Sequence, residues 1–123
     1  MISTGTFSIP LADHGARKQA ELGTLTEMIR KMHNIGMIVA GVCTGVLNGR
    51  KATMHYLAQN EIIEYGAELL RYRIVDQGNI ITARGVTSGL DLGLWITERF
   101  ASPKIAAAVE YRMEYERRGV VWS

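Results

Sequence analysis

The chain has 123 residues, 47% of them hydrophobic and 21% charged, the balance of one ordinary globular domain spanning 1–123. Lys and Arg total 14 against 12 Asp and Glu, a net charge of +2, which makes no electrostatic case for nucleic acid or an anionic membrane. The single Cys excludes an internal disulfide framework, and neither a leader pattern nor an apolar run near the roughly 18 residues of a spanning helix is visible, so a reducing, cytoplasmic setting is expected.

In chain order, residues 1–18 read as a short apolar piece at 6–9 followed by a loop, because Pro10 offers no donor to a strand ladder. From Gln19 to about Asn34, Leu22, Leu25, Met28, Ile29 and Met32 recur at helical spacing with Glu21, Glu27, Arg30 and Lys31 opposite, which predicts an amphipathic helix. Asn34 and Gly36 stop it. The run at 37–42 then predicts a strand buried on both faces, and this helix-to-strand order predicts a layered α/β domain. His14 and His33 flank the helix on polar ground with no second ligand at metal spacing, so both read as surface residues.

The strand run ends in Cys43, Thr44 and Gly45, a pattern that delivers a nucleophile into a tight turn. A helix beginning there would lower the thiol pKa from about 8.5 towards neutrality, and its free N–H groups would hold an oxyanion. The same pattern also describes an inert buried thiol.

Val46 to Gly49 reads as a turn, Ala52 to His55 as a short strand, and 56–65 as a helix followed by a linker to Leu70. A His near a thiol either favours the thiolate as imidazolium or accepts its proton, while the plain alternative is a helix cap. Tyr72–Val75 and Asn79–Ala83 around Asp76-Gln77-Gly78 predict a β-hairpin at 72–83. The segment Gly85 to Gly89 precedes a helical apolar run from Leu90 to Phe100. Its small residues suit exposed N–H groups for a polar ligand atom, or capping by Thr87 or Ser88. Ser102-Pro103 starts a helix running to about Glu116, on which Tyr111 and Tyr115 pack, and Val120-Val121-Trp122 form an apolar tail. No GxGxxG and no metal spacing occur, so neither cofactor nor metal is expected.

The strings GVCTG at 41–45, LNGRKATMHY at 47–56, DQGNIITARGVTSGLDLGLWITERF at 76–100 and SPKIAAAVEY at 102–111 resemble the C-terminal part of the ThiJ/PfpI superfamily, nearest its isonitrile hydratase-like branch. The resemblance implies a reduced flavodoxin-like sandwich with a mostly parallel sheet and helices on its faces. It further implies a homodimer acting on a small molecule, and a Cys nucleophile on a strand-to-helix elbow. Carried onto this sequence, it makes Cys43 the nucleophile, Thr44 the oxyanion donor and His55 a neighbour at the sheet's carboxyl edge, with Gly45, Thr87 and Ser88 bordering the substrate. Two departures mark a shortened member: Val46 to Gly49 follows the elbow where the family continues a helix, and the opening strands that supply an acidic partner are largely missing. Isonitrile hydration to an N-substituted formamide is the implied reaction, and Thr rather than His after the Cys argues against the protease branch. A redox-responsive oligomer or an inactive remnant are the other readings of the same residues.

Overall fold

The computed structural model describes residues 2–3, 23–42 and 49–123 of the chain. The expected apolar piece at 6–9, His14, the first turn of the 19–34 helix, Cys43, Thr44, Gly45 and the start of the 46–49 turn lie outside the described residues.

Helix α1 covers Thr24–Asn34, with a Lys31–Glu27 ion pair of 2.9 Å one turn apart on its exposed side. His33, expected on the surface, is half-buried in its last turn. Gly36, at φ 86, turns the chain into strand β2, Val39–Val42, and α1 packs back against β2. Only Ala40 and Val42 are fully buried in β2, while Met37 and Ile38 are exposed. The two-faced burial expected of 37–42 is therefore corrected to an alternating, one-faced strand, because the first two residues belong to the turn that leaves the helix.

Strand β3 is Lys51–Ala52, shorter than the expected 52–55. It stops because Thr53 turns its N–H to the Thr82 hydroxyl (3.0 Å) and its own hydroxyl to the Tyr72 carbonyl (2.7 Å). The expected 56–65 helix divides into a 3₁₀ turn at Tyr56–Ala58 and α2 at Gln59–Glu64. Gly66, at φ 79, ends α2, with the Gly66 and Ala67 N–H groups returning to the Ile63 and Ile62 carbonyls. The expected linker contains strand β4, Glu68–Leu69, which pairs in parallel with β3. Two-residue strands leave too short an alternation to be seen in a sequence.

The hairpin forms as expected, with β5 at Ile74–Asp76 antiparallel to β6 at Ile80–Ala83. Its turn is tied by the Gly78 N–H donating to the Asp76 carboxylate (2.8 Å), with Gly78 at φ 87. Helix α3, Ser88–Phe100, runs back over the sheet. Helix α4, Pro103–Arg112, begins on a Ser102 cap whose hydroxyl accepts from the Ile105 N–H (3.1 Å), as the Ser-Pro pair predicts. It ends four residues before Glu116, where Glu114 takes φ 50 and the chain crosses towards α3. Tyr111 is 86% exposed and does not pack, whereas Tyr115 donates its hydroxyl to Asp91. The apolar tail becomes strand β7, Val121–Trp122, parallel to β5.

The main sheet has the order β1-β2-β6-β5-β7, where β1 is Ile2–Ser3 and pairs in parallel with β2. The β2–β6 ladder is also parallel, pairing Val39 with Ile80 and Val42 with Ala83. With the single antiparallel hairpin, this is a mostly parallel α/β sheet. Ala40, Val42, Ile74, Ile81, Ala83 and Leu92 form its core under α3, joined by Trp95, Ile96 and Val121. A smaller cluster of Ala52, Ile62 and Ala67 holds the β3–β4 unit, with Ile80 linking it to the hairpin. At the far end of the hairpin the buried Asp76 carboxylate accepts from Trp95 Nε1 (2.7 Å) and Arg99 Nη1 (3.1 Å), fastening the last turns of α3. Among the described residues no helix is long and apolar enough to cross a membrane.

Candidate functional site at the carboxyl edge of the sheet

Parallel pairing makes β2 and β6 end side by side, and the carboxyl end of such strands is where open α/β sheets bind ligands. Val42 is the last residue of β2 and directly precedes Cys43. A methyl group placed on Gly89, in the first turn of α3, would lie 3.6 Å from Val42 Cγ2. The strand that leads into the cysteine therefore runs against the start of α3, at a spacing that a Cβ on Gly89 would meet as ordinary van der Waals contact.

His55 reaches the same edge from the other side. A methyl group on Gly85 would lie 3.3 Å from His55 Cδ2 and 4.0 Å from Nε2, so the imidazole covers the β6–α3 junction. Several bonds hold it there. Thr53 is anchored to Thr82 and Tyr72, the Gln59 side chain donates to the Met54 carbonyl (3.5 Å), and the Ala58 N–H donates to the His55 carbonyl (2.9 Å). The Leu57 N–H donates to His55 Nδ1 (3.3 Å), making His55 the cap of the 3₁₀ turn. A neutral ring whose Nδ1 accepts carries its proton on Nε2. With Nδ1 engaged by Leu57, Cδ2 and Nε2 are the ring atoms on the Gly85 side, and the helix-cap alternative for His55 is the one the hydrogen bond realises.

The first turn of α3 differs from expectation. Neither Thr87 nor Ser88 caps the helix with its side chain. The Ser88, Gly89 and Leu90 N–H groups instead close on the Gly85, Val86 and Thr87 carbonyls at 2.9, 3.1 and 3.2 Å. The expectation of exposed N–H groups here is corrected accordingly: a tightened first turn has already used them. Thr87 lies on the exposed side, its hydroxyl accepting from Arg73 Nη2 (3.1 Å). Ser88 is 0% exposed, and its hydroxyl is a buried polar atom with no hydrogen-bond partner among the described residues. Leaving such a group unpaired costs about 1–3 kcal/mol.

Beneath this turn lies a network that sequence reasoning missed. Asp91, 2% exposed, accepts from Arg73 Nε (2.6 Å), the Tyr115 hydroxyl (2.8 Å) and the Arg118 N–H (2.9 Å). Burial alone would push its carboxyl up, but the Arg118 N–H, the Arg73 guanidinium and the Tyr115 hydroxyl more than offset this and hold it below the ordinary carboxylate value. Arg117 bonds both Glu98 and Glu110, which closes the crossing chain over α3 and α4. The signal was present in the sequence: Asp91 is the one charge inside the apolar run from Leu90 to Ile96, and a charge in that position is a paired buried one. Among the described residues no group of three or more His, Cys, Asp or Glu could hold a metal ion.

The molecule is thus an α/β protein with a mostly parallel sheet, in which His55, Val42 and the α3 start lie at the carboxyl edge of parallel strands. The DJ-1/PfpI family pattern matches residues 13–99, and the chain belongs to that family. It is 29% identical over 97 residues to an isonitrile hydratase of Pseudomonas putida, covering 72% of this chain and 42% of that protein. It is 28% identical over 101 residues to the protein DJ-1 homolog A of Arabidopsis thaliana, covering 75% of this chain and 25% of that protein. The fold superposes on Drosophila melanogaster DJ-1beta with a TM-score of 0.70 at 19% identity, over 84% of this chain and 61% of that one. The chain spans less than half the length of either of the two sequence relatives.

Proposed function

We propose that this chain is an isonitrile hydratase-like lyase in which Cys43 is the nucleophile. The observation that supports this most is the meeting of the β2 end, His55 and the α3 start at one edge. In the proposed reaction the Cys43 thiolate attacks the terminal isonitrile carbon, and that carbon takes up a proton to give a thioimidate, R–N=CH–S–Cys. Water adds to the same carbon, the nitrogen is protonated, and the C–S bond breaks to release the N-substituted formamide and regenerate the thiolate. Thr44 would offer its backbone N–H and Gly45 an uncrowded approach, while the His55 Nε2–H faces the developing negative charge. Thr87 and Ser88 border the substrate.

The test is formamide production from an alkyl isonitrile by the wild-type chain and by Cys43→Ser. Turnover that vanishes in the variant supports the reading, and turnover that persists removes Cys43 as the obligatory nucleophile. A second reading is a reversibly oxidised thiol without hydratase activity. It is favoured by the Leu57 N–H bond to His55 Nδ1, which occupies that nitrogen as a helix cap rather than as a base towards water. Hydrogen peroxide converting Cys43 to a sulfenic acid that dithiothreitol reverses, in a chain that makes no formamide, selects it.

A further inference from the structure

Where β7 meets the start of β5, a cavity of about 90 Å³ has Arg73, Asp91, Arg117, Arg118 and Gly119 in its wall. Three guanidinium groups and one carboxylate line it, so the wall carries a net charge of +2, and Glu98 and Glu110, which pair with Arg117, are not part of the lining. Gly119, at φ 76, brings the Arg117-Arg118 backbone along the Arg73 stem, where an added methyl group would meet Arg73 Cβ at 3.6 Å. The carboxylate in the wall is already engaged, because the two Asp91 oxygens accept from Arg73, Tyr115 and the Arg118 N–H. Arg73 uses Nε for Asp91 and Nη2 for Thr87, and Arg117 uses Nε for Glu110 and Nη1 for Glu98. Arg118 holds Asp91 through its backbone N–H, a bond any residue but proline could make, and not through its side chain.

We propose that this cavity is a phosphate-binding site, in which Arg73 Nη1, Arg117 Nη2 and the Arg118 guanidinium donate to the oxygens of one phosphate group. The site is separate from the proposed Cys43 chemistry and does not depend on it. A phosphomonoester group carries a charge of about −1.5 to −2 near neutrality and three acceptor oxygens, which matches three arginines on a wall of charge +2. Planar guanidinium forks are the side chains suited to phosphate oxygens. The volume selects the group rather than a whole ligand, since pockets for drug-sized molecules hold roughly 300–1,000 Å³. The phosphate is therefore either the free ion or the end of a larger molecule whose remainder stays outside.

The experiment is a titration of the whole chain with inorganic phosphate, and separately with phenyl phosphate, at constant ionic strength set by sodium chloride, followed through the arginine Nε–H resonances and the melting temperature. Wild type, Arg118→Gln and Arg30→Gln are compared. Arg30 is an exposed cation on α1, which packs on β2 away from the β7 edge, and it controls for overall charge. The proposal expects saturable shifts of the Arg73 and Arg117 resonances, a melting temperature that rises with phosphate, and affinity about tenfold weaker in Arg118→Gln but unchanged in Arg30→Gln. Without phosphate, Arg118→Gln should melt as wild type does, because the N–H bond to Asp91 is kept. Saturation by both probes supports a phosphate carried on a larger molecule, and saturation by inorganic phosphate alone supports the free ion. Shifts that do not saturate, affinity equal in Arg118→Gln and wild type, or equal weakening in Arg118→Gln and Arg30→Gln each overturn the inference.

Discussion

Replacing Asp91 by Asn keeps the shape of the side chain and removes its charge, so it isolates what the carboxylate does. Both oxygens are in use, one by the Arg118 N–H and the other by Arg73 and Tyr115, and an amide must turn its NH₂ towards one of these donors. Breaking a buried ion pair at one end costs about 3–5 kcal/mol. Arg73 is 23% exposed and can rehydrate, which places the loss near the lower limit, about 3 kcal/mol. For a chain of 123 residues that corresponds to a fall of roughly 10 °C in melting temperature. The pH dependence has a definite sign. The folded carboxyl titrates below its ordinary value of about 3.9, so its contribution is complete above that pH and is lost as the pH falls through the folded value. Urea unfolding of both chains at a series of pH values should show a gap that is constant near neutrality and closes in acid. A variant within about 0.5 kcal/mol of wild type at pH 7, or a gap that does not change with pH, refutes the carboxylate as the anchor of the crossing chain.

Two other substitutions probe how His55 is held. Thr82→Val leaves the buried Thr53 N–H without its acceptor, so a loss of about 1–3 kcal/mol in urea unfolding is expected, together with slower Cys43 alkylation as the 53–55 segment loosens. An unchanged unfolding midpoint would show that the Thr82 bond is dispensable. Gly85→Ala brings a methyl group to 3.3 Å from His55 Cδ2, so the ring must shift by tenths of an ångström. Its imidazole NMR resonances should move while the melting temperature stays within a few degrees, and resonances that coincide with wild type contradict the packing of the ring on that glycine.

The hairpin, the long α3 helix and the Ser102 cap were legible because each carries a signal within a few residues: a Gly-containing turn between β-rich runs, an apolar helical stretch, a Ser-Pro pair. What escaped depends on partners distant in the chain. Strands β3, β4 and β7 have two residues each, and only the neighbouring strand defines them. Thr87 looked like a cap, yet Arg73 on the far side of the hairpin claims its hydroxyl. The helix expected to reach about Glu116 stops at Arg112 because Tyr115 and Arg118 are taken by Asp91, a tertiary attraction that outweighs local helix preference. The family resemblance was carried by the strings around Cys43, His55 and Ser88, and of these the structure brings His55 and Ser88 to the edge where β2 ends.

Because the hairpin reverses direction midway across the sheet, β1, β2 and β6 point one way while β5 and β7 point the other. The molecule is therefore polarised into two ends of unlike character. One gathers the reactive candidates, and the opposite rim is a clamp of Asp76, Trp95 and Arg99 with no such group in it. The length of the β6 strand separates the clamp from the proposed site, so alterations at the clamp are expected to change stability at one pole without altering Cys43 reactivity at the other.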